Sequence, residues 1–273
     1  MKFINLVPDF EKFLRIGGRK AFMRHYCEPN KKILLPLIKD FELWEINWKK
    51  IIEKMTYDEY KNVFSNNKKY DKKAKKIIKR CEKFIGFKLK GEFVLLCALK
   101  EIDGYSRHHR GTNTIYLGLD YPKIFSYFNL LVAHEISHTA RDSMIDICKG
   151  KKCMTHDSMI KNLPYIEHLI GEGIATAFSQ SIFPGKKEKD YLFFDASEYR
   201  WCKKNEKLIE KEVKKLIGTR GTHYKFYEKG VVGNSPSRID YYYGYMLIKQ
   251  LLEKHDIREL IKIPAKGILG MKI

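Results

Sequence analysis

Two histidines four residues apart, set in an otherwise apolar segment, limit what this chain can fold into. His134 and His138 are separated by Glu-Ile-Ser, and residues 130–133 before them are Leu-Leu-Val-Ala. Residues four apart lie one turn apart on the same face of a helix. Burial of two unpartnered imidazoles would cost free energy. The segment therefore predicts a buried helix with a pair of ligand-binding histidines, and two hydrogen-bonded core histidines are the alternative.

This spacing suits a single metal ion. From one helical face, His134 and His138 can each place a ring nitrogen about 2.0–2.1 Å from the same Zn²⁺. Glu135 then lies beside the ion and not on it, where it can take a proton from an activated water as general base. The pattern predicts a zinc-dependent hydrolase in which Glu135 is catalytic.

A catalytic zinc site needs a third protein ligand and one open position. Glu172 lies 34 residues beyond His138 in the next predicted helix. A glycine on each side of it lets a neighbouring helix or the metal approach the backbone closely. We expect Glu172 to be the third ligand. Because carboxylates and imidazoles both bind zinc, three other side chains remain candidates for this position: Glu167, His168 and His156.

One class of zinc peptidase is excluded by the residues that follow the second histidine. Metzincins carry a glycine and a third histidine at fixed offsets beyond this point. In this chain the corresponding residues are Arg141 and Met144. The third ligand must therefore come from elsewhere in the sequence.

The pattern of apolar residues divides the chain into two parts. Residues 1–90 have helical periodicity and predict a helical N-terminal lobe, and residues 91–273 form the second predicted domain. Two short apolar runs, Phe93–Leu99 and Asn113–Leu119, predict strands. The polar segment Asp103–Thr112 between them predicts a loop.

Four helices are predicted after these strands, and together they make the fold class α+β, mainly α. A small sheet is expected next to the helix with the two histidines. The predicted helices cover residues 124–141, 164–182, 198–217 and 242–255.

The formal net charge of +20 raises the possibility of nucleic-acid binding. Lysines are interleaved with Glu and Asp on the predicted helices, an arrangement typical of a solvated polar face. No recognised nucleic-acid-binding motif accompanies the charge. A nucleic-acid partner is therefore possible but not favoured.

Cysteine usage and hydropathy predict a cytoplasmic protein. The six cysteines are irregularly spaced and are expected to be reduced thiols, although Cys148 and Cys153 lie close enough in sequence to be paired or to bind metal. The first residues do not have the pattern of an export signal. The longest apolar runs fall far short of the roughly 20 residues that a membrane span needs, so no membrane partner is expected.

The segments HEISH and GEGIATAF together resemble the gluzincins, whose third ligand is a glutamate in an E-G-x-A helix. More closely, residues 85–255 are similar to a family of predicted zinc-dependent proteases with a peptidase-MA-like fold. The resemblance implies a zincin-like catalytic domain. It also implies Zn²⁺ bound by His134, His138 and Glu172, with Glu135 as the base.

The same resemblance indicates a catalytic tyrosine near the end of the chain. Gluzincin aminopeptidases carry a tyrosine in a Y-x-x-G segment that enters a helix, where its hydroxyl stabilises the oxyanion. Tyr241 is the counterpart, and a tyrosine that only packs the start of the helix is the alternative. Tyr227 also matches the letters, but the residues after it, Val231–Pro236 among them, cannot continue a helix.

A further element of the aminopeptidases of this class is absent. Their G-x-M-E-N segment binds the amine of the substrate, whereas residues 109–113 are His-Arg-Gly-Thr-Asn. Aminopeptidase activity is therefore not expected.

We predict a zinc peptidase whose peptide or protein substrate binds as an extended strand along the sheet edge formed by Asn113–Leu119. Two alternatives remain at this point. One is a basic protein that binds nucleic acid or an acidic partner and has a structural or vestigial zinc site. The other is an amide or ester hydrolase that acts on a non-peptide.

Overall fold

A four-stranded mixed sheet lies beside the helix that carries the two histidines. The structure, a computed structural model, describes residues 1–109, 112–145 and 156–271. The sheet order is β1-β2-β4-β3; β1, β2 and β4 are parallel, and β3 forms an antiparallel hairpin with β4. The strands are β1 (Lys2–Asn5), β2 (Glu92–Leu96), β3 (Gly104–His109) and β4 (Thr112–Gly118).

Strand β3 occupies most of the segment that was predicted to be a loop, so that prediction is wrong. Its residues are polar, but tertiary contacts satisfy them. Arg107 Nε lies 2.7 Å from Asp40 Oδ2, and the buried His108 ring contacts Asn113 Oδ1 at 3.0 Å. Because these partners come from other elements, local hydropathy gave no sign of a strand.

The prediction that Asn113–Leu119 forms a free sheet edge is also wrong. Strand β4 pairs with β2 on one side and with β3 on the other, so its backbone groups are already hydrogen-bonded. The outer strands of the described sheet are β1 and β3.

The predicted strand Phe93–Leu99 is shorter than expected. Strand β2 ends at Leu96, and Leu99 and Lys100 then adopt left-handed backbone conformations with φ of 61° and 62°. The buried carboxylate of Asp120 accepts hydrogen bonds from the backbone N–H groups of Ala98 and Lys100. This turn redirects the chain into the β3–β4 hairpin.

The N-terminal region contributes the sheet's first strand. Strand β1 pairs in parallel register with β2, with Phe3 opposite Phe93. Most of residues 1–90 are helical, as predicted, but the segment is not purely helical because it begins with β1. The domain boundary at residue 90 stays a prediction.

Most of the described chain is helical, and the mainly helical α+β class is confirmed. A π-helical turn covers Met23–Cys27, and a 3₁₀ turn covers His223–Phe226. The helices are α1 (Val7–Ile16), α2 (Gly18–Phe22), α3 (Lys31–Leu43), α4 (Trp48–Lys54), α5 (Tyr57–Ile85), α6 (Ile124–Met144), α7 (His156–Asn162), α8 (Tyr165–Ile182), α9 (Glu188–Tyr191), α10 (Ala196–Lys204), α11 (Glu206–Lys214), α12 (Ile239–Leu251), α13 (Ile257–Leu260) and α14 (Ala265–Gly270).

The predicted helices are present, with one divided in two. Helices α6, α8 and α12 lie where the periodicity placed them, within a few residues at each end. The segment predicted as one helix over 198–217 forms α10 and α11, which meet at Asn205. Helix α10 begins early because the Asp195 side chain accepts from the N–H of Glu198 while the Glu198 side chain accepts from the N–H of Asp195.

The four cysteines among the described residues agree with the expectation of reduced thiols. Cys27, Cys81, Cys97 and Cys202 are buried and free. Cys148 and Cys153 lie outside the described residues, as do Arg110 and Gly111. Within the described ranges, no helix combines the length and the apolar character needed to cross a membrane.

Helix α6 packs against β3, β4 and α5, and its other side packs against α8. Helix α8 in turn packs against α12, and its residues from Tyr165 to Ser179 are all buried. Two largely buried helices therefore form the centre of the core. Each of them carries metal-ligand candidates.

A pair of glycines lets α8 and α12 come into backbone contact. A Cβ atom on Gly173 would lie 2.3 Å from the carbonyl oxygen of Gly244, and one on Gly244 would lie 2.3 Å from that of Leu169. A Cβ on Gly171 would meet only His138 Nδ1, at 4.0 Å. Of the two glycines beside Glu172, Gly173 is therefore the one that close packing requires.

We expect Gly173→Ala to destabilise the fold by about 2–4 kcal/mol, because the new methyl group would force α8 and α12 apart. Gly171→Ala is the matched control, and its methyl group has room. Urea denaturation followed by circular dichroism gives the free energy of unfolding of both variants. Equal stability of the two variants would contradict the proposed role of the close contact.

Candidate metal centre

Helices α6 and α8 bring three ligand atoms together in the core. His134 Nε2 lies 3.1 Å from Glu172 Oε2, and His138 Nε2 lies 3.5 Å from the same oxygen. The two imidazole nitrogens are 3.2 Å apart. Among the described residues, these three form the one group of His, Cys, Asp and Glu side chains that could hold a metal ion.

The separations of these atoms fit a tetrahedral ion. Ligands about 2.0–2.1 Å from a tetrahedral Zn²⁺ are roughly 3.3–3.4 Å apart, from the tetrahedral angle. The observed separations of 3.1, 3.2 and 3.5 Å surround that value. His134 and Glu172 are buried, while the side chain of His138 is 20% exposed. The donor set is therefore suitable for zinc, with room for a fourth ligand on the His138 side.

The charges in the cluster also favour a cation. Although burial opposes it, the two histidines hold the pKa of Glu172 well below its usual value, so the carboxylate is ionised. Burial lowers the pKa of His134, which keeps this ring neutral. Burial also acts against protonation of His138, but the charge of Glu172 raises the pKa of His138 to about 9. Metal binding at His138 would therefore release a proton.

Glu135 lies next to the ligand cluster and against strand β3. A Cβ on Gly104 would lie 2.8 Å from Glu135 Oε1 and 2.9 Å from its Cγ, so only glycine leaves room for this side chain. Burial raises the pKa of Glu135 to about 7; the charge of His138 lowers it, and those of Glu172 and Asp103 raise it. Gly104 was not singled out from the sequence, because its role depends on the approach of β3 to α6.

His168, one of the alternative third ligands, lies behind Glu172. Its Nδ1 is 3.7 Å from Glu172 Oε1, and its Nε2 is 3.3 Å from Oδ2 of the buried Asp240. Asp240 also receives a hydrogen bond from the Tyr165 hydroxyl at 3.3 Å. This arrangement is typical of outer groups that orient a metal ligand. Asp240 was not identified from the sequence.

The other two alternatives are engaged elsewhere. Glu167 Oε2 lies 2.9 Å from Arg141 Nη2, and Glu167 Oε1 accepts from the backbone N–H of Ala265. This buried ion pair fastens the last helix to the core. His156 begins α7, and its Nε2 lies 2.5 Å from the Tyr105 hydroxyl. Neither residue belongs to the ligand cluster.

Tyr241 lies beside the ligands. Its ring stacks on the ring of His134, with centroids 6.3 Å apart, and is edge-on to His168 at 5.9 Å. The Arg238 guanidinium lies 5.8 Å from the centre of the Tyr241 ring. Burial and the charge of Glu172 raise the pKa of the Tyr241 hydroxyl well above its usual value. At neutral pH this hydroxyl is a hydrogen-bond donor.

Tyr227 also lies near the candidate metal centre. The sequence favours Tyr241 as the catalytic tyrosine, because the residues after Tyr227 cannot continue a helix. No α-helix follows it, as expected. The 3₁₀ turn His223–Phe226 instead directs its ring towards His168, with centroids 6.2 Å apart. His223 lies 5.7 Å from His168 by the same measure. Tyr227 lies near the site although no helix continues from it, because this loop folds back over α8.

Comparison with known proteins agrees with the donor set. Residues 100–270, more than half of the chain, match the family described as "Predicted Zn-dependent protease (DUF2268)". The chain belongs to this family. The matched region contains β3 and β4, the two ligand-bearing helices and both tyrosines. No curated protein and no solved structure shows significant similarity to the chain.

We expect the purified protein to bind one zinc ion per chain, and Glu172→Gln to weaken this binding more than about 100-fold. His168→Gln should weaken it about 10- to 100-fold, the usual effect of losing a group that orients a ligand. His156→Gln should have no effect and serves as the control. Competition with a chromogenic chelator measures all three dissociation constants. A larger effect of His168→Gln than of Glu172→Gln would assign the third ligand to His168.

Proposed function

We propose that the protein is a zinc peptidase of the gluzincin type with a zincin-like catalytic fold. The observation that supports this most is the convergence of His134, His138 and Glu172 on one point, with Glu135 beside them. A Zn²⁺ ion held there would polarise the scissile carbonyl and acidify a water molecule. The sheet next to α6, with its antiparallel outer strand, supports the zincin-like interpretation.

Glu135 supplies the general base. It takes a proton from the attacking water and later delivers it to the leaving amine. Its carboxylate is fixed between α6 and Gly104, so its position relative to the ligands does not depend on a loop. Burial, which raises its pKa, favours the uptake of this proton near neutral pH.

Tyr241 is proposed to donate a hydrogen bond to the oxyanion that forms from the carbonyl. Its ring lies over His134, and the first turn of α12 holds its backbone through Asp240. The Tyr227 ring lies 6.2 Å from that of His168, and its hydroxyl, which hydrogen-bonds with Tyr241, is the second candidate donor.

A peptide substrate is proposed to bind along β3. This strand pairs with β4 on one side only within the described sheet, so its outer backbone groups can hydrogen-bond to an extended chain. Gly104 at its start touches Glu135, and Ser106 Oγ lies 3.5 Å from the Glu135 carbonyl oxygen. A substrate strand paired here would run past the catalytic carboxylate.

A binding protein with a structural zinc site is less well supported. Such a site is closed by a fourth protein ligand. Among the described residues, the cluster contains three, and the partial exposure of His138 leaves one side open. A hydrolase needs this open position for water and substrate.

We expect Glu135→Gln to lower kcat about 10²- to 10⁴-fold while zinc remains bound, because the amide cannot accept the proton. Hydrolysis of a fluorescence-quenched peptide library, with zinc content determined in parallel, gives this result. Glu101→Gln is the control, because it makes the same chemical change at an exposed carboxylate. Full activity of the zinc-loaded Glu135→Gln protein would contradict the mechanism.

Tyr241→Phe should lower kcat about 10²- to 10³-fold with little change in KM, as expected for the loss of one oxyanion donor. Tyr227→Phe removes the same atom from the neighbouring ring and should have a smaller effect. Steady-state kinetics on one peptide compares the two variants. If the larger loss belongs to Tyr227→Phe, the oxyanion role passes to Tyr227.

A further inference from the structure

A cavity of about 1010 Å³ lies beside the metal centre. It is half open to solvent and is bordered by α5, by the beginning of α6 and by the segment that follows α8 up to the start of α10. Its volume is at the upper end of the usual range for ligand sites. It can hold several residues of an extended peptide.

Phe193 separates the cavity from His134. Phe193 lines it, and the Phe193 ring lies 5.6 Å from the ring of His134 and 5.3 Å from that of Tyr127, which also lines the cavity. Phe193 has a left-handed backbone with φ of 57°, which is rare for an aromatic residue. The protein holds this ring in a strained position between the cavity and His134.

Cations from three separate elements line the cavity. Lys73 and Arg80 come from α5, Lys123 precedes α6, and Lys186 follows α8. Among the residues that the structure describes, none of these four forms an ion pair with a carboxylate. Lys73 and Arg80 instead lie over aromatic rings, with Arg80 4.8 Å from the centre of the Phe183 ring. Burial lowers the pKa of Lys73.

The carboxylates of the lining are engaged locally. Asp195 and Glu198 form the reciprocal cap of α10, and Asp190 pairs with Lys189 at 2.9 Å. They do not reach across to the cations of α5. These carboxylates keep their charge, but the lining holds five cations, Lys189 among them, and three carboxylates, so its net charge is positive.

We infer that this cavity is a specificity subsite that binds acidic side chains of a peptide substrate next to the scissile bond. The inference rests on the proposed peptidase function and names its substrate class. The cations supply charge-assisted hydrogen bonds to carboxylates. The subsite also assigns a function to some of the basic residues that make the chain strongly positive.

An acidic peptide fits the cavity better than a nucleic acid does. Nucleic-acid sites without sequence preference use aromatic faces that are free to stack on bases. Here the Phe125 ring stacks on Tyr70 with centroids 4.5 Å apart, and a face of Phe183 is covered by Arg80. The rings are largely occupied by one another and by cations. What remains available is charge.

The test uses fluorescence-quenched peptides of equal length in which each position near the cleavage site carries Glu, Gln or Lys. With the zinc-loaded protein, we expect kcat/KM to be highest for Glu on one side of the bond. Arg80→Gln/Lys123→Gln should reduce the Glu-to-Gln preference by up to about 25-fold, up to about 5-fold for each charge removed. Lys76→Gln/Lys79→Gln removes two exposed charges from α5 outside the cavity and is the matched control.

Retention of the preference in the control pair and its loss in the cavity pair would support the subsite. Equal losses in both pairs would assign the effect to overall charge and overturn it. If peptides are cleaved without any preference for Glu, the subsite fails while the peptidase function stands.

If no peptide is cleaved, the proposed function fails. Peptide binding then tests whether the subsite exists. Fluorescence anisotropy with the Glu135→Gln protein compares Glu-rich and Gln-rich peptides. The subsite is supported if the Glu-rich peptide binds more tightly and if this difference is lost when Arg80 and Lys123 are replaced. Binding of a single-stranded oligonucleotide through the same two residues, without a preference for Glu, overturns it.

Discussion

The buried carboxylate of Glu172 is the group around which this structure is arranged. It lies within 3.5 Å of imidazole nitrogens on both histidines of α6, and a third imidazole supports it from its own helix. A buried ionised carboxylate requires compensation. The apolar packing of α6 on α8 keeps water away from most of the cluster. A divalent cation bound here would satisfy all three atoms at once.

The depth of this cluster depends on how closely the helices approach one another. Gly173 touches Gly244 because neither has a side chain, so α12 lies directly on α8. The first turn of α12 then carries Asp240 behind His168 and Tyr241 over His134. One backbone contact therefore positions both the residues behind Glu172, the candidate third ligand, and the proposed oxyanion donor.

Groups with different tasks come from different parts of the fold. The ligands are on helices, Glu135 is confined by Gly104 of the outer strand, and the tyrosines come from the last third of the chain. The basic cavity adds α5, which lies before the matched family region, to the surroundings of His134. If the subsite is correct, substrate selection uses a helix that the metal chemistry does not need.

The sequence by itself indicated the candidate ligand pair and the adjacent candidate base, because residues four apart share a helical face whatever the rest of the fold. It also indicated Glu172, through the glycine that close packing requires. It could not place β3, whose polar residues find partners such as Asp40 only in the folded chain. Nor could it show that Glu172 and not His168 joins the two histidines in one cluster, or that Tyr227 lies near them, since these contacts depend on which side chains meet across α8 and α12. Tertiary structure decided them because long-range contacts leave no local periodicity in the sequence.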